Sequence, residues 1–341
     1  MTKINARPVQ APGQAGSGAG AKKPLRRFLP LFLVLAACDN WNLPLKDSIA
    51  FLSAMTPVSS WEELRNAVEH TDAQLIALAK SFPAGSATIR VSRPLTITAA
   101  PGVTAVITRP DGFPTDIFFE VNGSSGDLTL GRPEGGTLVL DGGAVPGSPP
   151  LIKVVNRSCT MQDGTELRNN HTNGTGGGVF VDGGAFTMNG GTISGNTSAS
   201  GGGGVYVAGT GSFTMNGGTI SGNRAERALG SGSGGGVYVT GGRFIMNGGT
   251  ISGNTATGNG GYGGGVYVDS GGAFTKAGGV IYGTDVDDDG MKNRVKDNDG
   301  SEMAAGHGHA VYVSSSPVKW RESTAGEGDA LDSAEDEGWV L

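Results

Sequence analysis

The chain has 341 residues, 62 of them glycine, with 6% aromatic and 16% charged residues and a formal net charge of −6. Glycine without a Gly-X-Y period excludes collagen, and this much glycine excludes a helix bundle, because each helical glycine costs about 1 kcal/mol. Low charge argues against a charge-driven disordered chain, and the acidic balance gives no support to nucleic-acid binding.

Residues 1–27 carry six basic residues and no acidic one, followed by ten apolar residues, Phe28 to Ala37, and then Cys38. Ten residues rise about 15 Å as a helix, half of a bilayer core, so this segment reads as a secretory signal rather than a span. Leu35-Ala36-Ala37-Cys38 resembles the bacterial lipobox. The resemblance implies a signal peptide over 1–37, a lipid on the Cys38 thiol, and residues 38–58 as the lipidated tether. Six of the 25 basic residues lie before Cys38, so cleavage leaves 19 against 31 acidic residues, a net −12. The mature chain keeps one other cysteine, Cys159, so no disulfide is expected.

Ser60-Trp61-Glu62-Glu63 is a capping box opening a helix over 60–70, with Trp61, Leu64 and Val68 on one face. Such a helix would cover the first coil of a solenoid. Irregular coils follow over 75–170, with strands expected at 75–80, 87–91, 94–99, 104–108, 117–121, 127–130 and 137–140. In a degenerate copy at 151–170, Cys159 takes a position that later copies give to phenylalanine, which predicts an inward, inert thiol.

Regular repeats occupy 174–284. GGGVFVDGGAFTMNGGTISGN, Gly176 to Asn196, returns at Gly202 to Asn223 and at Gly234 to Asn254, and a fourth copy at Gly263 to Thr284 departs at Lys276-Ala277. The equivalent Ile193, Ile220, Ile251 and Ile281 lie 27, 31 and 30 residues apart. Alternation in the second copy points Val205, Val207, Phe213, Met215 and Ile220 one way and Tyr206, Thr214, Thr219 and Ser221 the other. About three short strands per coil, each pairing with its counterpart one repeat later, describe an all-β, single-stranded parallel β-helix over 59–320 with an N-terminal capping helix. Asn189, Asn216 and Asn247 form one column and Asn196, Asn223 and Asn254 another, as side-chain ladders between coils. Tyr206, Tyr238 and Tyr267 form an outward column about 4.8 Å apart, a binding face whose rings are expected to stack.

The paired GGGV and FTMN motifs resemble the repeats of chlamydial polymorphic outer-membrane proteins. Phe186 and Asn189, Phe213 and Asn216, and Phe244 and Asn247 match the second motif. GGGVYV with FTMNGGTISGN, a WEELRNAV entry and an HAVYV…RESTAG exit are similar to repetitive β-helix lipoproteins of treponeme-type spirochaetes. The resemblance covers roughly residues 59–330. It implies a right-handed, pectate-lyase-like coil and a place at the outer membrane, periplasmic face or cell surface.

Chemistry on this scaffold would need clustered carboxylates on adjacent coils. Between 174 and 270 there are six charged residues: Asp182, Arg224, Glu226, Arg227, Arg243 and Asp269. Asp182 and Asp269 share a column three coils apart, about 14 Å, beyond the 5–9.5 Å that glycosidase carboxylates need. Arg224, Glu226 and Arg227 read as a solvated loop cluster. In the irregular coils the candidates are Asp111, Asp116, Glu120, Asp141, Asp163, Glu166 and Arg168. The acidic insertion over 285–302 carries Asp285, Asp287 and Asp289, the first half of a calcium loop, but its twelfth position is Lys296 rather than glutamate. A solvated acidic loop is the expectation there, with calcium the weaker one. His307 and His309 alternate onto one strand face as two metal ligands would, but His309-Ala310-Val311 aligns with Gly264-Gly265-Val266, so a coil corner is the expectation there, with a last strand at 309–313. Residues 321–341, with seven acidic residues, read as a tail.

Three classes follow from these residues: a non-enzymatic surface lipoprotein for adhesion, host-matrix or glycan binding; a carbohydrate-active lyase or hydrolase; and an envelope spacer. The first is favoured, with no catalytic residues, no cofactor, a lipid bilayer partner through Cys38, a host protein or glycan as ligand, no nucleic acid, and a monomeric state.

Overall fold

The computed structural model describes residues 54–112, 116–123, 125–131, 135–226, 232–303, 306–314, 319–321 and 326. Cys38, the signal segment, Arg227 and nearly all of the tail lie outside the described residues.

The chain is a parallel β-solenoid. One coil shows how it is built. Val205–Ala208, Ser212–Met215, Thr219–Ser221 and Arg224–Glu226 are four short strands separated by glycine corners. Each pairs in parallel with its counterpart in the next coil: Tyr206 with Tyr238, Phe213 with Phe244, Ile220 with Ile251, Ala225 with Ala256. Val205, Val207, Phe213, Met215 and Ile220 are all fully buried, whereas Tyr206, Thr214, Thr219 and Ser221 are half-buried on the outside. Period-2 alternation thus sorts five apolar side chains per coil inward, each contributing about 1.5–3 kcal/mol if an aliphatic or phenylalanine side chain is fully withdrawn from water.

The tyrosine strands belong to a nine-stranded sheet running from Ile89–Val91 to Lys319–Arg321. The Phe–Met strands form a second nine-stranded sheet, from Thr56–Val58 to Ala273–Lys276. The isoleucine strands form an eight-stranded sheet, from Phe82–Pro83 to Val280–Ile281. A further sheet of five strands runs from His171–Thr172 to Arg294–Lys296. This last sheet corrects the count of about three strands per coil: the regular coils have four. It also places Arg224 and Glu226 in a strand, where they pair with each other, rather than in a loop.

Inside the Phe–Met sheet the rings of Phe213 and Phe244 stack at 4.7 Å with 5° between planes, and Phe244 and Phe274 at 4.9 Å and 12°. Some corners leave no room for a side chain. Gly218 has φ +86°, and a Cβ there would meet Met188 Cε at 2.6 Å and the Gly191 carbonyl at 2.7 Å.

Helix α1 (Trp61–His70) closes the amino-terminal end. Ser60 Oγ accepts from the Glu63 amide, and Glu63 reaches back to the Ser59 amide at 2.7 Å, one residue earlier than the usual reciprocal bond. Trp61, Leu64, Ala67 and Val68 are buried, and Trp61 meets Phe118 edge-on at 5.8 Å. Thr56–Val58 pairs with Leu75–Leu78, and Val58 is buried, so the last residues assigned to the tether belong to the solenoid. Pro57 is tolerated there because the strand is an edge and its far side needs no donor. At the other end the last parallel strand is Val311–Val313, with His309 and Ala310 preceding it. Among the described residues the one antiparallel strand pair joins it to Lys319–Arg321. No helix of the described residues is long and apolar enough to cross a membrane.

Candidate functional site: an aromatic column on one sheet

Parallel registration carries one outward position of the tyrosine sheet through eight successive strands. Arg90, Glu120, Lys153, Phe180, Tyr206, Tyr238 and Tyr267 follow one another, and Tyr312 continues the line. The first part is ionic: Arg90 lies 3.6 Å from Glu120, and Lys153 Nζ sits 5.7 Å from the Phe180 ring centre. From Phe180 onward it is aromatic, with successive ring centres 5.6, 5.0, 4.7 and 5.7 Å apart.

The rings do not stack as expected. Tyr206 and Tyr238 meet at 73°, and Tyr238 and Tyr267 at 78°. Edge-to-face packing avoids setting like quadrupoles against each other, and these two pairs adopt it, whereas Tyr267 and Tyr312 lie nearly parallel at 19° and Phe180 and Tyr206 tilt by 33°. The inner phenylalanines stack because the core confines them. Tyr238 also leans over the preceding coil, where a Cβ on Gly201 would stand 2.2 Å from its Cδ1. The column widens at its end: Tyr262 lies 4.3 Å from Tyr312 and 5.1 Å from His307, ring centre to ring centre.

The Tyr238 hydroxyl donates to Asp269 Oδ2 at 3.2 Å. Burial first, and the Asp269 charge second, raise the phenols of Tyr206, Tyr238 and Tyr267, so all three stay neutral donors at physiological pH. Asp182 and Asp269 stand three coils apart in the neighbouring outward line.

The two asparagine columns differ. Asn216 Nδ2 donates to Asn189 Oδ1 and Asn247 Nδ2 to Asn216 Oδ1, both at 2.8 Å, on the exposed surface. Asn196, Asn223 and Asn254 are buried, and each Oδ1 of the later coil accepts both the backbone and side-chain N–H of the earlier one. This inner ladder extends to Asn170 and Asn293, which the repeat pattern did not single out. The inner column's amides are engaged between coils, whereas the outer column keeps exposed donors and acceptors.

Asp285, Asp287 and Asp289 do not converge. Asp289 pairs with Arg294 and with Lys292, the latter at 3.3 Å, and these cations hold its carboxyl below the usual range. Among the described residues no three His, Cys, Asp or Glu side chains come together as a metal set. His307 Nδ1 faces the Gly261 carbonyl at 2.9 Å, and His309 is buried with Nε2 3.1 Å from the Met303 carbonyl, both at a coil corner. Cys159 is fully buried, and burial pushes its thiol up to about 12.

Of the carboxylates in the irregular coils, the fold brings two together around a cation. Arg168 donates to Asp141 at 2.8 Å and to Glu166 at 3.0 Å on the isoleucine sheet. Glu120 lies on the tyrosine sheet with Arg90 instead. No family model matches the chain, and neither the curated proteins nor the solved structures return a match.

Proposed function

We propose that this chain is a non-enzymatic binding protein, exported and anchored by lipid at Cys38, that displays its solenoid at the cell envelope. The aromatic column would engage a host-matrix protein or a glycan. The observation that carries this reading is the unbroken outward line from Phe180 to Tyr312, five half-buried rings on a parallel sheet. Aromatic rings at a fixed spacing present large rigid contact area at low entropic cost, and their hydroxyls supply polar contacts. An array of glycans and matrix proteins probed with the purified mature chain tests it. Signal lost on Tyr206→Ser supports the reading, and an array blank for the native protein overturns it.

A second reading, a polysaccharide lyase or hydrolase, draws support from Asp141, Glu166 and Arg168, two carboxylates and a cation on adjacent coils. Against it, Arg168 is already engaged by both carboxylates, and a net acidic chain repels polyuronates. Formation of an unsaturated uronate chromophore, abolished by Arg168→Ala, would favour that reading.

A further inference from the structure

We infer that Asp269 and the tyrosines beside it form a recognition site for an arginine side chain on a basic segment of a partner protein. This deepens the proposed function and rests on the tyrosine face being a binding surface.

Asp269 follows the strand Val266–Val268 at a bend and is half-buried. Its Oδ1 accepts from the Ser270 amide at 2.7 Å and its Oδ2 from the Tyr238 hydroxyl at 3.2 Å. These two bonds fix the plane of the carboxylate while using about half of its four lone-pair directions. Glu120, Asp141 and Asp289 each have a cation beside them, and among the described residues none pairs with Asp269. Among the described residues, then, Asp269 is a fixed carboxylate with no counter-charge, set beside an aromatic surface.

The rings make the surface selective. Tyr238 and Tyr267 lie 4.7 Å apart at 78°, and Tyr206 adds a third ring 5.0 Å from Tyr238. One ring presents its face where the next presents its edge. A guanidinium is planar, stacks on an aromatic face and donates two parallel N–H bonds to a carboxylate. An ammonium supplies charge but neither the plane nor the fork. A neutral sugar has no charge to answer Asp269, and a polyanion is repelled by it. The net charge of the chain, −6, favours encounter with a basic partner over an acidic one.

The test uses the mature chain and three capped peptides of one sequence carrying two arginines, two lysines or two citrullines, titrated by calorimetry. The arginine peptide binds, the lysine peptide binds at least about fivefold more weakly, and the uncharged citrulline peptide does not bind. Asp269→Asn weakens arginine binding at least about tenfold, whereas Asp182→Asn, an equal change in net charge three coils away, alters it less than about twofold. Tyr267→Leu weakens it as well, and it serves if Asp269→Asn does not fold. Equal losses for Asp182→Asn and Asp269→Asn, or citrulline binding as well as arginine, would overturn the assignment. If arrayed glycans or matrix proteins bind while the arginine peptide does not, this inference alone fails; if nothing binds, the binding-face reading fails with it.

Discussion

Cys159 stands one coil before Phe186 in register and ends the inner column of phenylalanine rings. A thiol fills this place where four later coils place a ring. The site is sealed, and the neutral thiol is the form it holds.

That burial makes stability fall in alkali. The folded thiol titrates at about 12, against about 9 ordinarily, so between those values the unfolded chain loses a proton that the folded one keeps. The contribution is constant below pH 9 and shrinks as pH rises. At pH 10.5 the loss is about 2 kcal/mol relative to pH 8. Unfolding free energies from urea titrations of the native chain and Cys159→Ala should converge by about that amount between the two pH values, and thiol reagents should label Cys159 only after unfolding.

The face assignment predicts opposite outcomes for neighbours. Ile220 is fully buried and Thr219 half-buried in the same strand. Ile220→Asp should open the central coils to protease, at a cost of several kcal/mol, because an isolated carboxylate there has no partner. Thr219→Asp should leave the digestion pattern unchanged. Equal sensitivity in both would show the alternation to be wrong.

The two asparagine columns should differ in weight. Asn223 accepts from the Asn196 backbone and side chain and donates to the Ile193 carbonyl and to Asn254. Asn223→Ala strands several buried groups, each worth about 1–3 kcal/mol, and should lower the melting temperature by many degrees. Asn216→Ala removes two exposed bonds and should shift it little. Thermal melts of the two variants decide it.

Lipid attachment is tested by labelled palmitate. The native chain should incorporate it, and Cys38→Ala should abolish incorporation. Equal labelling of the variant would remove the anchor from the proposed function.

Much of the solenoid was legible because side-chain period and repeat period coincide. Val-Tyr-Val, Phe-Thr-Met and Thr-Ile-Ser each show their faces in the primary structure. The five-stranded sheet was not legible, since Thr-Ser, Arg-Ala-Glu and Thr-Ala-Thr each turn one small residue inward and carry no apolar alternation. Asn293 was hidden because the acidic insertion lengthens its coil, placing it 39 residues after Asn254. Thr56–Val58 was hidden by its proline. At the candidate site, the tyrosine column followed from registration, but the tilt of the rings and the Tyr238–Asp269 bond depend on contacts between coils that no single repeat encodes.

The octapeptide Asn-Gly-Gly-Thr-Ile-Ser-Gly-Asn occurs unchanged at 189–196, 216–223 and 247–254. Because it occupies the same turn of three successive coils, unequal exchange between the corresponding stretches of gene would delete or duplicate one whole turn in frame. Tyr206 would then meet Tyr267, or a copy of itself, with every inner ladder rejoined. Each such event would lengthen or shorten the aromatic face by one ring, about 4.8 Å. The reach of the protein is therefore a heritable quantity, adjustable in unit steps without any new residue.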